Sequence, residues 1–147
     1  MVIYFDVSCL DRPFDDQHQT RIRMESEAVL LLLERCLTGG WKQVSSTVAL
    51  AEISRIMDEQ RRERVEAFLP DDLDIWDITQ KDVLRAAEFE RWGFHPADAL
   101  HLAAAEAIKA GVFLTCDDRL LRRATRYGKR LNVRVANPVD LLGEYPS

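Results

Sequence analysis

Short runs of strand-forming residues alternate with longer segments of helical periodicity, and this alternation restricts the fold more than any other feature. The strand candidates are residues 2–5, 41–46, 73–78, 112–115 and 133–135. Between them, apolar residues recur at helical spacing. Strands that alternate with helices pair in parallel and need helices on both faces of the sheet. The sequence therefore predicts an α/β fold with a central, mostly parallel sheet of about five strands.

The residues between these strands contain recognisable helix boundaries. A helix over residues 21–37 is predicted to stop at Gly39 and Gly40. Thr79 is a predicted helix cap, and Pro96 occupies the favoured first turn of an alanine-rich helix. Residues 10–19 are polar and include a proline, which predicts a loop.

Length and composition predict one folded domain over residues 1–147. The chain is 47% hydrophobic and 31% charged, which is typical of a globular protein and excludes disorder. No apolar run approaches the roughly 20 residues of a membrane span, and no signal peptide precedes the first strand. The cysteines are odd in number and widely spaced, which predicts reduced thiols. We therefore expect a cytoplasmic protein without membrane contact.

Four acidic residues stand at the edges of predicted core elements. Asp6 and Asp117 follow apolar runs, whereas Glu52 and Asp98 lie in the first turns of helices. Because ligands of open α/β sheets bind at the carboxyl ends of the strands, we expect these side chains to converge. Converging carboxylates repel one another unless a cation such as Mg²⁺ or Mn²⁺ lies among them. Such a site performs phosphoryl chemistry on nucleic acid.

Each of these acids also has an ordinary structural interpretation. Asp6 is suited to a turn at a strand end. Asp98 can stabilise a helix N-terminus through the macrodipole, and Asp117 can be a simple N-cap. Only the joint pattern favours a functional site.

The net charge of −5 argues against a polyanionic partner, but the basic residues are unevenly distributed. One group lies within 16 residues near the C-terminus: Arg119, Arg122, Arg123, Arg126, Lys129, Arg130 and Arg134. A second group follows Glu52: Arg55, Arg61, Arg62 and Arg64. A basic rim beside an acidic site would suit RNA phosphates. For either group alone, a solvated helix face is the simpler interpretation.

Four segments together resemble the PIN domain family, and within it the VapC-type ribonuclease toxins. They read VIYFDVSCLDRPFDDQ, SSTVALAEISRI, HPADALHLAAAEAIKAGVFLTCDDRLLRRA and VRVANPVDLL. The resemblance implies a three-layer PIN-like fold with helices on both faces of the sheet. It places the family's acidic quartet on Asp6, Glu52, Asp98 and Asp117.

The resemblance also indicates supporting residues. Ser8 matches the small polar residue after the first acid, and Thr115 matches the hydroxyl residue before the last one. Asp118 adjoins Asp117 and can replace or supplement it, although the T-x-D spacing favours Asp117. Independently of the resemblance, the basic group near the C-terminus supplies the expected RNA contacts, which are Arg119, Arg122, Arg123 and Arg126.

The function implied by the resemblance is that of a magnesium-dependent endoribonuclease. The quartet would be catalytic and would bind Mg²⁺ (or Mn²⁺), which activates water for hydrolysis of RNA phosphodiesters. The protein would be the toxin of a type II toxin-antitoxin pair, a homodimer held by an antitoxin protein. A non-catalytic PIN-like module that binds RNA or protein is the alternative. A phosphate-ester hydrolase of another α/β family is disfavoured, since Asp6 is not part of a D-x-D motif.

Two further interpretations concern single helices. His101 lies one turn after Asp98 and is interpreted as a core histidine with a satisfied hydrogen bond rather than a general base. Residues 30–33 are four successive leucines, so the apolar surface of their helix extends more than halfway round. We expect the side around Val29 and Leu32 to face a partner, with burial by neighbouring helices of the same chain as the alternative.

Overall fold

The computed structural model describes residues 1–146 and contains a parallel sheet of five strands. The strands are β1 (Val2–Phe5), β2 (Lys42–Ser46), β3 (Ile75–Trp76), β4 (Val112–Leu114) and β5 (Arg134–Ala136). Their order is β3-β2-β1-β4-β5, and each neighbouring pair is parallel. The predicted α/β fold with a mostly parallel sheet is confirmed.

The connections between the strands are helical. The helices are α1 (Val7–Asp11), α2 (Thr20–Thr38), α3 (Thr47–Ser54), α4 (Glu59–Glu66), α5 (Gln80–Arg91), α6 (Pro96–Ala107), α7 (Asp118–Arg126) and α8 (Pro138–Glu144). Short 3-10 helices are Arg12–Phe14, Asp72–Asp74 and Gly128–Arg130. Among residues 1–146, no helix has both the length and the apolar character needed to cross a membrane.

The sheet separates two apolar cores, because successive strand residues point to opposite faces. On β1, Ile3 and Phe5 pack in one core with residues of α1, α2, α3, α4 and α8. Tyr4 packs in the other core with residues of α5, α6 and α7. Val112 and Phe113 alternate between the two cores in the same way on β4. Helices therefore cover both faces, which confirms the three-layer arrangement.

Two local predictions were wrong. Residues 10–19 are not simply a loop, because they contain the end of α1 and the 3-10 helix Arg12–Phe14. Ion pairs order this polar segment, with Arg61 of α4 bound to Asp11 and Asp15 at 2.6 Å each. Residues 73–78 are not one strand, since only Ile75–Trp76 pairs with β2. A 3-10 turn precedes it, and the apolar Leu73 is 98% exposed.

The expected exposed strip on α2 was also placed on the wrong side. Val29 and Leu32 are fully buried in the core, whereas Leu30 and Leu31 are 44% and 47% exposed. A helix buries residues three and four apart on one face, so Val29 and Leu32 turn inward together. The two leucines between them turn outward.

The carboxyl ends of β1 and β4 lie side by side where the strand order reverses, which is the usual ligand site of such sheets. The backbone N–H of Asp6 donates to the carbonyl of Leu114 at 2.8 Å, so the pairing extends past the end of β1. Thr115 likewise donates to the carbonyl of Ala136 at 3.0 Å. Both loops are therefore fixed where the predicted site residues begin.

Candidate active site

The four predicted acids lie together, although each comes from a different connection. Asp6 follows β1, Glu52 lies on α3, Asp98 is in the first turn of α6, and Asp117 is the N-cap of α7. Glu52, Asp98 and Asp117 line one open cleft of about 540 Å³. Carboxylate oxygens of Asp6 and Glu52 lie within 4.8 Å of each other.

Asp6 is buried and held by two hydroxyl groups. Its side-chain oxygen Oδ2 accepts hydrogen bonds from Thr115 Oγ1 at 2.7 Å and from Ser8 Oγ at 3.0 Å. Within residues 1–146 no group hydrogen-bonds to its other oxygen, Oδ1. The carboxylate is thus oriented by its neighbours and keeps one oxygen for a ligand.

The same two hydroxyls join the loops after β1 and β4. Thr115 Oγ1 accepts a hydrogen bond from the backbone N–H of Asp117 at 3.1 Å. Ser8 Oγ accepts one from the backbone N–H of Cys116 at 3.2 Å. Ser8 and Thr115 therefore contact Asp6 and also fix the backbone that presents Asp117.

Asp117 and Asp118 have different surroundings. Asp117 Oδ1 caps α7 by accepting from the N–H groups of Arg119 and Leu120 at 2.9 and 3.4 Å. Asp118 instead forms a two-pronged ion pair with Arg21, at 2.7 and 2.8 Å. This hydrogen-bonded pairing with Arg21 lowers the pKa of Asp118. Of the two neighbours, Asp117 is the one that lines the cleft.

Glu52 is bonded to His101, a connection that the sequence analysis did not predict. The imidazole is only 1% exposed, and its Nε2 lies 2.8 Å from Glu52 Oε2. Its Nδ1 lies 2.7 Å from the hydroxyl of Tyr4. The ring is a core histidine whose two nitrogens both have hydrogen-bond partners, as the sequence analysis predicted. The one-turn spacing from Asp98 was the available indication that it also reaches the site.

The electrostatics of the cluster follow from burial and mutual repulsion. Burial raises the pKa of Asp98 to about 6, and the charges of Asp6 and Asp117 add to this effect. Burial also raises the pKa of Asp6, against the opposing effects of His101 and Thr115. Burial acts to lower the pKa of His101, but the bond to Glu52 and the charge of Asp6 outweigh it and raise that pKa. Within residues 1–146, these four acids therefore lie close together without an ion pair to a lysine or arginine.

The donor atoms suit a hard divalent cation. The cluster presents carboxylate oxygens, which Mg²⁺ and Mn²⁺ prefer. Ligand atoms of Asp6, Glu52 and His101 all lie within 4.8 Å of one another. Because a carboxylate only accepts, Nε2 of His101 carries a proton toward Glu52. The oxygens, and not this nitrogen, are then the donors for a cation.

The two basic groups differ in how they are engaged. Arg119, Arg122, Arg123 and Arg126 line a groove on α7, and Arg119 and Arg123 also line the acidic cleft. Arg123 donates to the carbonyl of Trp92 at 3.1 Å. Among residues 1–146, the other three form no ion pair. In the second group, Arg61 forms ion pairs with Asp11 and Asp15.

Solved structures with a similar fold come from two bacteria. One is the crystal structure of VapBC2 from Rickettsia felis bound to a DNA fragment from their promoter. The TM-score is 0.58 at 19% identity, over 93% of this chain and 98% of that one. The other is FitAcB from Neisseria gonorrhoeae, with a TM-score of 0.59 at 18% identity, over 92% of this chain and 97% of that one. No curated protein matches the sequence.

A family comparison gives a direct assignment. Residues 21–126 match the PIN domain. The matched range contains Glu52, Asp98 and Asp117, and it begins after Asp6, which the fold nevertheless brings to the same site. The match extends over well more than half of the chain, so this protein belongs to the PIN domain family.

Proposed function

We propose that this protein is a metal-dependent endoribonuclease, the toxin of a type II toxin-antitoxin pair. The observation that carries the proposal is the convergence of Asp6, Glu52, Asp98 and Asp117 at the strand-order reversal, where no lysine or arginine among residues 1–146 forms an ion pair with any of them. A cluster of this kind gains stability when an external cation binds. Members of the PIN domain family are typically nucleases, which agrees with this chemistry.

The four acids are assigned as catalytic residues and as ligands of Mg²⁺ or Mn²⁺. When bound, the metal supplies charge neutralisation at the scissile phosphate and activation of the attacking water. The chain's own residues prepare the site. Ser8 and Thr115 hold Asp6 with one oxygen unbonded, and the cap of α7 fixes Asp117 at the cleft. Asp118 is assigned to the surface pair with Arg21 rather than to the metal.

RNA is the proposed substrate, and the groove on α7 is its proposed contact surface. Arg119 and Arg123 border both the groove and the acidic cleft, so a phosphate backbone on the groove leads into the cleft. Arginines in this position bind phosphates without selecting a base sequence. The intact acid cluster favours an enzyme over a non-catalytic binding module.

A cleavage assay tests the proposed activity. Purified protein is incubated with a fluorescently labelled single-stranded RNA in Mg²⁺, in Mn²⁺ and in EDTA. We expect cleavage with either metal, none in EDTA, and none from Asp98→Asn protein purified identically, which controls for contaminating nucleases. Equal cleavage by both proteins, or cleavage that persists in EDTA, would refute the proposal.

The proposed partners are an antitoxin protein and a second copy of this chain. The likeness to VapBC2 and FitAcB supports a two-component assembly, and exposed Leu30, Leu31 and Leu37 on α2 supply apolar surface for one of these partners. Sedimentation equilibrium of the isolated protein should show a dimer that Leu31→Glu weakens. A strict monomer would refute the homodimer.

We also infer that residues 1–147 form one PIN-like domain in the cytoplasm. The described residues share one sheet, with a core on each face. The cysteines Cys9, Cys36 and Cys116 are all free thiols, which suits a reducing compartment.

A further inference from the structure

A buried chain of polar side chains runs beneath the acidic cleft and ends at Glu52. Ser46 Oγ lies 2.6 Å from the hydroxyl of Tyr4, which lies 2.7 Å from Nδ1 of His101. Nε2 of His101 lies 2.8 Å from Glu52 Oε2. Ser46, Tyr4 and His101 are each at most 1% exposed. Three elements of the fold, β1, the end of β2 and α6, are thereby connected to the carboxylate on α3.

The hydrogen-bond directions along this chain are determined by its two ends. Glu52 only accepts, so His101 donates through Nε2. Burial raises the pKa of Tyr4, so its hydroxyl keeps its proton and can donate to Nδ1. Ser46 then donates to Tyr4, and its oxygen remains the cap of α3 by accepting from the N–H of Ala49 at 3.5 Å. Each buried polar group has a partner, as a rigid network requires.

Glu52 depends on this network more than Asp6 depends on its hydroxyl partners. Its side chain is 44% exposed, whereas the imidazole that holds it is 1% exposed. Within residues 1–146, His101 is its single side-chain hydrogen-bond partner. Asp6 has two hydroxyl partners and a short side chain. Fixing a glutamate side chain costs the conformational entropy of its rotatable bonds. Without the hydrogen bond to His101, the side chain of Glu52 would therefore turn into solvent.

We propose that His101 is a positioning residue that holds the Glu52 carboxylate against Asp6 at the metal site, with Tyr4 fixing the orientation of the ring. This inference rests on the proposed function, because it gives Glu52 a role at the metal. Residues that orient metal ligands by hydrogen bonds contribute about 10- to 100-fold in metal affinity or activity. His101 acts through Glu52 and does not itself contact the cation.

Two amide substitutions distinguish the contributions of the two ring nitrogens of His101. The amide nitrogen of a glutamine reaches the position of Nε2, whereas that of an asparagine reaches only the position of Nδ1. His101→Asn should weaken Mn²⁺ binding, measured by calorimetry without RNA, about 10- to 100-fold. It should lower kcat by a similar factor and leave KM for RNA unchanged. His101→Gln should recover most of both losses.

A double-mutant cycle tests whether His101 works through Glu52. In a Glu52→Gln background, His101→Asn should cause little further loss of Mn²⁺ affinity, because the carboxylate to be positioned is gone. Additive losses would overturn the proposal and indicate that His101 binds the metal directly. Equal Mn²⁺ affinity in the His101→Asn, His101→Gln and unchanged proteins would also overturn it.

A third measurement needs no substitution at the buried ring and no catalysis. The chain has three histidines, so long-range ¹H–¹⁵N spectra resolve each imidazole. His101 should show an exchange-protected proton on Nε2 that Glu52→Ala exposes to exchange, and the absence of a protected proton would refute the hydrogen bond. If the protein fails to cleave RNA but these NMR and Mn²⁺ results hold, the proposed ribonuclease is wrong and the positioning role stands.

Discussion

Glu25 on α2 and Asp6 after β1 are both buried carboxylates, and their surroundings are opposite. Glu25 is 1% exposed and accepts from Arg12 at 2.8 Å and from Asn137 at 2.6 Å, with Arg21 at 3.4 Å. Asp6 is 6% exposed, and among residues 1–146 its carboxylate accepts only from the hydroxyls of Ser8 and Thr115. One buried charge is neutralised within the chain, and the other is surrounded by further acids.

The difference separates an acid that is neutralised within the fold from one that has no basic partner among the described residues. A buried charge is tolerated when it is paired and hydrogen-bonded. Glu25 meets both conditions and ties α2 to the segment after α1 and to the start of α8. Asp6 meets only the second, and the pKa of the neighbouring Asp98 is raised by burial first and then by the charges of Asp6 and Asp117. The same burial therefore predicts opposite effects of removing the charge.

The largest expected effect is on activity, at the uncompensated acids. Asp6→Asn and Asp98→Asn should each lower Mg²⁺-dependent RNA cleavage at least about a thousandfold, equivalent to about 4 kcal/mol of transition-state stabilisation. Both variants should fold, and urea unfolding at pH 7.5 without metal should show greater stability, because one buried and repelled charge is gone. Full activity in both variants would contradict the assignment of the site.

The next effect is on stability, at the compensated acid. Glu25→Gln should lower the free energy of unfolding by about 3 kcal/mol, because it removes the buried charge that Arg12 and Asn137 donate to and puts an amide donor in place of one acceptor oxygen. Urea denaturation measures the loss. Asp118→Asn is the matched control, since it removes an exposed partner of Arg21 and should change stability little. If both substitutions changed the stability equally little, the buried charge of Glu25 would not stabilise the fold.

The basic residues show the same contrast between arginines that are ion-paired within the chain and arginines that are not. Replacing Arg122, Arg123 and Arg126 by alanine should weaken RNA binding broadly. It should also reduce the slope of log K against log salt by about 2, at about 0.7 for each phosphate contact to a single strand. Arg61→Ala is the control, because this side chain is already paired with Asp11 and Asp15. An unchanged slope in the triple variant would show that these arginines of α7 only face solvent and do not contact RNA.

The smallest expected effect is a pH dependence of stability in metal-free protein. The folded-state pKa of Asp98 is about 6 against an ordinary 3.8, so ionisation of Asp98 disfavours the folded state. That cost is fully present above about pH 6 and disappears as the pH falls toward 4. Asp98→Asn should therefore be the more stable protein at pH 7.5, with the difference vanishing near pH 4 in parallel urea titrations. A constant difference across this range would contradict the raised pKa.

The sequence by itself determined the class of fold and the neighbourhood of the site. Alternating strand and helix patterns predicted the parallel sheet, because these patterns are local. Asp6 and Asp117 could be predicted as neighbours because parallel strands end at a common edge. Local patterns failed where tertiary contacts decide, as in the polar segment ordered by Arg61 and in Leu73, whose apolar character suggested strand but which lies exposed in a turn.

Only the tertiary structure decided which partner each charged side chain has. Glu25 meets Asn137 across 112 residues of chain, and His101 meets Glu52 across 49. Asp118 turns to Arg21, 97 residues away, which leaves Asp117 at the cleft. No local pattern encodes such pairs, because they exist only after the helices have packed on the sheet. The sequence thus indicated which acids converge, and packing decided which acids are ion-paired within the chain and which are not.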